Sequence, residues 1–447
     1  MAVRTRFFLA AALVSTTLVV AVGPSGAATQ GRPTAAASID WPQYHGEPAH
    51  QGLNRAEDLV GPDNVAQLSL SWIGNGATSV EDLVFRSSPT VVDGYVYFGT
   101  DAGQLLAFPA HCQSDCQPAW RVQLGEGVYN TPAVVDGILY IGTASSLGHL
   151  YAFDVAKCAA RGGNCAPLWT ASLAIGDSSP TVVDGVVYVG SQFDNVYAFA
   201  ADGCGKTTCK PLWVGHTDGF VLNSPAVANG VVYAGDSTGY LYAFAATGCG
   251  QAQPGPTVPP TCTALWRGRA ANPIYAASPV VHGGMVYTTS FAASPDSFLE
   301  VFAAGGCGKA VCKPVWRGVG GGYMDSAPAV AYGRVYLGSG DGVLRVYPAK
   351  GCGDPTCAAL WTGFGPGPVA AVDSPPMVAN GVVYIGMEQR VRAFAARGCG
   401  QSQCQNLWEF ITQDPIVNSS PVMVNDTLYF SGTNFGAVPE LYVFNLP

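Results

Sequence analysis

The chain has 447 residues; 48% are hydrophobic, only 11% are charged, and the net charge is −9 at pH 7. That acidic balance, without a lysine or arginine run, excludes a protein built to neutralise nucleic-acid phosphates. Aromatic and β-branched residues recur periodically, so the 56 glycines mark turns, not a collagen-like or disordered chain.

The N-terminus reads MAVRTRFFLAAALVSTTLVVAVGPSGAATQ. Two arginines, an apolar run from Phe7 to Val22 and then small residues predict a signal peptide over 1–27. The run is short for a membrane span and is interrupted by Ser15, Thr16 and Thr17, so cleavage and secretion are expected. An uncleaved anchor is the alternative. Residues 28–67 read as a linker and a lead-in, WPQYHGEPAHQGLNRAEDLVGPDNVAQ, that does not have the form of the repeat that follows.

The repeat is clearest from Ser178 to Trp213, SSPTVVDGVVYVGSQFDNVYAFAADGCGKTTCKPLW. Four short runs rich in Val, Tyr and Phe are broken by Gly, Asp or Asn, which is the pattern of strands and tight turns. Asp184-Gly185 predicts a hairpin, because such turns require positive φ. The proline that opens the first strand recurs at Pro89, Pro132, Pro180, Pro225, Pro279, Pro328, Pro376 and Pro421. The tryptophan of the fourth strand recurs at Trp72, Trp120, Trp169, Trp213, Trp266, Trp316, Trp361 and Trp408. Proline spacings of 43, 48, 45, 54, 49, 48 and 45 residues predict an all-β, eight-bladed propeller over 68–447. The C-terminal copy has three strands, and the strand from Leu68 to Trp72 is spare. Pairing the two would close the ring and leave no open edge there.

Fourteen cysteines fall into local pairs: Cys112/Cys116, Cys158/Cys165, Cys204/Cys209, Cys249/Cys262, Cys307/Cys312, Cys352/Cys357 and Cys399/Cys404. In an exported protein they read as hairpin-loop disulfides. Zinc would need four converging ligands, whereas these pairs belong to different blades. No pair has thioredoxin-like or haem-attachment spacing.

The residues just before the prolines are expected to ring the channel mouth: Arg86, Asn130, Asp177, Asn223, Asp325, Asp373 and Asn418, with Tyr129, Tyr275 and Tyr323 nearby. They could hold a small polar ligand or Ca²⁺ on the axis, or they could cap backbone N–H groups at the strand starts. Other motifs carry less. Gly235-Asp236-Ser237-Thr238-Gly239 matches a nucleophile elbow but is expected to join two strands, where an elbow leads into a helix. His216 and Asp218 share a loop and could form an acid/base pair. The sequons at Asn418 and Asn425 fall at strand and hairpin positions.

The pattern S-P-x-V-x-x-G-x-V-Y-x-G, then L-Y-A-F and L-W, resembles the PQQ-type propeller repeat. That family includes quinoprotein alcohol dehydrogenases and a cofactor-free outer-membrane assembly lipoprotein. The lead-in WPQYHGEPAHQG with NVAQLSLSW looks like that of the quinoprotein dehydrogenases, polyvinyl-alcohol-dehydrogenase-like proteins included. In the dehydrogenases the resemblance implies PQQ on the axis, stacked on a tryptophan and chelating Ca²⁺. An aspartate base and an arginine lie beside the quinone; here Asp177, Asp325, Asp373 and Arg86 are the candidates. This sequence departs from that pattern. Its fourth strands and lead-in use every tryptophan, there is no adjacent Cys-Cys pair, and the blades are short. Two readings therefore stand. One is a secreted monomeric module that binds a protein, glycan or small polar ligand at the mouth. The other is a PQQ- and Ca²⁺-dependent alcohol or sugar dehydrogenase passing electrons to a separate acceptor.

Overall fold

The structure, a computed structural model, describes residues 40–76, 87–249, 259–292, 297–364, 374–387, 389–412, 419–432 and 440–447. The expected signal peptide lies outside them, as do the Asn418 sequon position and the greater part of the 28–40 linker. The described residues belong to the unit Ser38–Pro447, and no described helix is long and apolar enough to cross a membrane.

Eight sheets, each built on four antiparallel strands, form the eight predicted blades. In blade 3 the strands are Thr181–Val183, Val186–Ser191, Asn195–Ala200 and Trp213–His216, each paired with its sequence neighbour. The hairpin between the first two strands is the predicted turn: Asp184 and Gly185 have φ of 50° and 73°, the pair of left-handed conformations that matches strand twist. Closure also follows the prediction. Ser69–Asn75 pairs antiparallel with Glu440–Asn445, so the two ends of the chain complete blade 8.

Neighbouring blades are joined by aromatic packing. The outer-strand tryptophan of one blade meets the third-strand aromatic of the next, as in Trp169–Phe199 and Trp213–Phe244, each 6.1 Å between centroids. A second-strand tyrosine joins each pair: Tyr140 packs near Trp169 and donates its hydroxyl to the Ala201 carbonyl at 3.0 Å. These side chains are buried, and aromatic area of this kind dominates the interblade energy. Gly215 in the outer strand of blade 3 lets Phe244 approach; a Cβ there would come within 2.8 Å of its ring.

All seven predicted cysteine pairs are disulfides: Cys112–Cys116, Cys158–Cys165, Cys204–Cys209, Cys249–Cys262, Cys307–Cys312, Cys352–Cys357 and Cys399–Cys404. The expectation of a hairpin loop is corrected for one of them. Cys158 lies in a short α-helix, Val155–Ala160, and Cys165 lies just beyond its end, so this bridge ties a helix to the chain that leaves it. The sequence explains the difference. Asp154 caps the helix by accepting the Lys157 N–H at 2.9 Å, the run VAKCAA holds no glycine or proline, and Gly162 and Gly163, at φ of 60° and 88°, end it.

The loops have a role not visible in the cysteine spacing. Each reaches back and covers the outer strand of the preceding blade. Thr261–Cys262 pairs parallel with the blade 3 edge, Val311–Cys312 with blade 4, Thr356–Cys357 with blade 5 and Gln403–Gln405 with blade 6. Parallel bridges at Thr208 and Cys116 do the same for blades 2 and 8. On blade 1 the helical Cys158–Cys165 loop adds no strand. It brings Gly163 against Arg121, so closely that a Cβ would overlap the Arg121 carbonyl. A covered edge cannot template pairing with another chain.

The lead-in is a strap that circles the axis and bonds to the first strand of every blade in turn. Trp41 exchanges backbone hydrogen bonds with Val91 of blade 1, at 2.7 and 3.1 Å. The carbonyl of Pro42 accepts from Val134 of blade 2 (2.7 Å), and the Gln43 side-chain oxygen from Val182 of blade 3 (2.9 Å). Carbonyls of Pro48, Ala49, Gln51 and Gly52 then accept from Val227, Val281, Val330 and Val378, at 2.7, 2.9, 2.9 and 2.7 Å. Asn54 ends the circuit by donating to the Met423 carbonyl of blade 8 at 2.8 Å. First-strand donors that would otherwise face the axis unpaired are thereby satisfied.

Candidate functional site

Above the strap the channel has two tiers, set by distance from the anchor proline. The residue immediately before it forms the lower tier. In six blades this is a hydroxyl residue, and five interblade bonds link them. Ser420 N–H donates to Ser88 Oγ (2.9 Å), Ser88 to Thr131 (3.2 Å), Thr131 to Ser179, Ser179 to Ser224, and Ser224 to Ser278 (2.9 Å each). Ala327 and Pro375 lack a hydroxyl and interrupt the circle. Five of the six hydroxyl oxygens therefore work as interblade acceptors; the Ser420 hydroxyl instead donates to the Pro375 carbonyl at 3.0 Å.

The residue three before the proline forms the upper tier. Tyr129, Asp177, Leu222, Ala276 and Asp325 occupy it among the described residues, and all five line one axial cavity of about 50 Å³. Tyr44 of the strap also lines it. Asp325 accepts the Ala276 N–H of the preceding blade at 2.9 Å, which ties its carboxylate to the wall. Three further rings form a run outside that lining: Phe291 lies 5.6 Å from Tyr275 and 5.7 Å from Tyr323.

Asn130 and Asn223 are not part of this tier. They sit one residue nearer the proline, where other blades place serine, and both are buried. Asn130 accepts from Gly142 N–H (3.0 Å) and donates to the carbonyls of Gly142 (3.1 Å) and Gly176 (3.2 Å). Asn223 repeats this with Gly235 and the Tyr275 carbonyl. Both amides are used up in clamping one blade to the next, so the structural alternative describes these two. Arg86, Asp373 and Asn418 lie outside the described residues. Asp177 and Asp325 are the expected site residues that the structure brings together.

The strap supplies site residues that sequence reasoning missed. Tyr44 stacks on His45 at 4.5 Å and meets His50 edge-on at 5.2 Å. His45 Nδ1 donates to the His50 carbonyl at 3.0 Å, and His50 Nε2 lies 3.0 Å from Thr181 Oγ1. Burial pushes His45 down to about 4 and, with the neighbouring His45, pushes His50 down to about 3. Burial also raises Tyr44 well above the usual phenol value, opposed by its bond to Ser278 and reinforced by Asp325. All three rings are neutral at physiological pH. The available signal was density: two of six histidines stand five residues apart in a segment without repeat pattern.

This burial predicts a pH dependence. The unfolded histidines bind protons below about 6.5, whereas the folded ones stay neutral until pH falls to their depressed values. Stability is therefore fully present above pH 6.5 and lost as pH drops towards 4, by up to about 1.4 kcal/mol per pH unit for each histidine. Urea denaturation across that range measures it, and His50→Gln should lower the slope by one proton. A flat wild-type profile would contradict the buried neutral pair.

The other motifs resolve structurally. Asp236 is buried and accepts from Thr238 and Tyr240 N–H and from the Tyr242 hydroxyl, so the Gly235–Gly239 run is a strand-to-strand turn as expected. Asp218 pairs with Arg267 at 2.7 Å and His216 faces Asn195 at 3.4 Å, so the two are engaged with different partners.

Among the described residues no tryptophan lines the axial cavity. A tricyclic quinone needs a pocket in the range of roughly 300 Å³ or more, against the cavity of about 50 Å³ left above the strap. Eight tryptophans lie in outer strands. The ninth, Trp41, is 4% exposed with its ring beneath Gly46. Among the described residues no three His, Cys, Asp or Glu side chains converge as metal ligands.

Comparison with known proteins agrees on the architecture. A family model described as outer membrane protein assembly factor BamB matches residues 158–251. Comparison with curated proteins finds no significant match. Among solved structures, BamB from Moraxella catarrhalis is 15% identical with a TM-score of 0.58, covering 85% of this chain and 99% of that one. A quinohemoprotein alcohol dehydrogenase from Comamonas testosteroni is 14% identical with a TM-score of 0.64, covering 92% and 81%. A europium-containing methanol dehydrogenase is 13% identical with a TM-score of 0.62, covering 91% and 98%. The eight blades and these likenesses agree on the fold of an eight-bladed β-propeller, and residues 158–251 are similar to the BamB family model.

Proposed function

We propose that the protein is a secreted binding module whose channel mouth receives a small polar or cationic group presented by a larger partner. The observation that carries this reading is the strap: the chain closes its own axis and leaves a shallow cup of about 50 Å³. A cup of that size takes a few waters or one side-chain head group, not a cofactor. Its wall offers the carboxylates of Asp177 and Asp325 beside Tyr129 and Tyr44. Carboxylates and ring faces together favour an ammonium or a group rich in N–H and O–H donors. The chain's net charge of −9 steers such a partner inward. Seven disulfides match work in an oxidising compartment. The family model's description as an assembly factor is in keeping with a protein that acts by binding.

Incubation of the purified protein with PQQ and Ca²⁺, followed by desalting, separates this reading from a quinoprotein dehydrogenase. The expected result is no retained quinone absorbance and no alcohol- or sugar-dependent dye reduction. Stoichiometric quinone with dye reduction would replace the binding reading by the enzyme. The aspartates are tested by their neutral variants: Asp177→Asn and Asp325→Asn should weaken partner binding and reduce its salt dependence.

A further inference from the structure

The eight blades differ at one place that the ring symmetry makes conspicuous. Six outer strands receive a parallel segment from the next blade's cysteine loop, and a seventh is covered by Gly163. The outer strand of blade 7, Trp408–Ile411, is the last of its sheet, and no described residue pairs with its outer side. The reason is topological. In blade 8 the third and fourth strands come from opposite ends of the chain, so no loop joins them to reach back. The lead-in passes below, where the Leu68 carbonyl accepts from Trp408 Nε1 at 3.0 Å, but it adds no strand.

The open edge also lacks the usual protection. Exposed edges are normally blunted by lysine, proline or unpaired charge. Here the strand reads Trp-Glu-Phe-Ile, and Ile411 is 56% exposed. The charge of Glu409 is neutralised by Arg390 at 2.6 Å and Arg392 at 2.7 Å. By register with blade 6, where Thr362 N–H donates outward to the Ser402 carbonyl at 2.9 Å, the outward donor of blade 7 is Glu409 N–H.

We propose that the outer edge of blade 7 accepts an extended segment of a partner protein, added parallel to Trp408–Ile411. The six in-chain segments define what fits. Four of them place a small buried residue inward, Cys262, Cys312, Cys357 and Cys404, at 3%, 3%, 1% and 3% exposure, with a polar or β-branched residue outward. The partner segment therefore alternates a small apolar side chain facing the core with polar flanks, and main-chain hydrogen bonds hold it. This surface is separate from the channel mouth and does not depend on the reading of that site.

Amide hydrogen exchange on the intact protein tests it, with a synthetic peptide of the sequence of residues 354–359 carrying Cys357→Val as the probe. In the free protein, the outward amides of Trp408–Ile411 should exchange up to about tenfold faster than those of Trp361–Phe364, the 1.4 kcal/mol that one edge hydrogen bond contributes at the upper end. Millimolar peptide should slow them. Glu409→Pro, which removes the outward donor, should abolish that slowing, and Ile411→Lys should weaken it while leaving the ion pairs in place. Equal protection of both strands in the free protein would show that the chain covers its own edge and would overturn the proposal. So would exchange unaffected by peptide, or slowed equally in the folded Ile411→Lys protein.

Discussion

A variant lacking residues 41–54 is expected to lose about 5 kcal/mol of stability or more, seen as a large fall in the denaturation midpoint. The strap finishes at blade 8, beside blade 1 where it began, so its removal needs no re-routing of the chain. Two effects compete in setting the size of the loss. The first-strand N–H groups that the strap satisfies would face an opened channel, where water can replace the lost carbonyls, so each costs less than a buried unpaired donor. The buried side chains have no such substitute. Trp41 alone, 4% exposed, is worth about 3–5 kcal/mol by analogy with aromatic-to-alanine changes, and Tyr44, His45 and His50 leave with it. Against a typical total of about 5–15 kcal/mol, the loss takes a large share of the protein's stability. Trp41→Ala should reproduce about 3–5 kcal/mol of it while keeping the channel closed. An unchanged midpoint in the deletion variant would mean that the strap only fills space.

The strap also marks where sequence reading stopped. Proline and tryptophan series gave away eight blades, because each residue type has one geometric job in every copy. Asp184-Gly185 was readable for the same reason: two positive φ angles leave few choices. The turn at Tyr332-Gly333 was not, since Tyr332 takes φ of 50° without the residue type that favours it. The strap has no period at all; its residues are shaped by a different blade at each step, and only tertiary contact explains Gly46 and Gly52 at φ of 83° and 64°. The mouth was half legible. Counting back from the proline found Asp177 and Asp325, but Asn130 and Asn223 were placed one tier too high. A shift of one residue along an extended chain turns a side chain from the channel into the blade interface, and polarity alone does not reveal which way it faces. Cysteine pairing was legible from proximity in the chain, but the shape of the loops was not. Reading Cys158 and Cys165 as another hairpin overlooked Asp154 and the alanine-rich run behind it, a helix start that one turn of sequence barely announces. The preceding-blade partners of the other cysteine loops were hidden for a related reason: parallel segments of one to three residues are too short to carry a propensity signal.

Reduction of the disulfides is expected to have the largest effect of any single change in conditions. Each bridge closes a short loop, with sequence separations of 4 to 13 residues, worth about 2–3 kcal/mol in the loop-entropy description. The edge cover that each loop provides depends on the loop holding its shape, so the contribution reaches the preceding blade as well. In five of the bridges one cysteine is exposed; in the other two the more accessible member, Cys112 or Cys165, is half-buried. The second cysteine of each pair is buried, as with Cys209 in the cluster around Trp169 or Cys262 in that around Trp213. A reductant can therefore reach most of the bridges from the surface without prior unfolding. Summed as independent loops, the seven approach or exceed the roughly 5–15 kcal/mol that holds a typical domain together. The fully reduced protein should thus be largely unfolded at 37 °C, with loss of the near-ultraviolet circular dichroism of its tryptophans. Single variants grade the effect. Cys249→Ser with Cys262→Ser opens the longest loop and should cost about 3 kcal/mol, more than Cys204→Ser with Cys209→Ser, whose loop is shorter. If the reduced protein kept its native spectrum and midpoint, the interblade aromatic contacts alone would be holding the ring, and the bridges would serve only to tie down its outer loops.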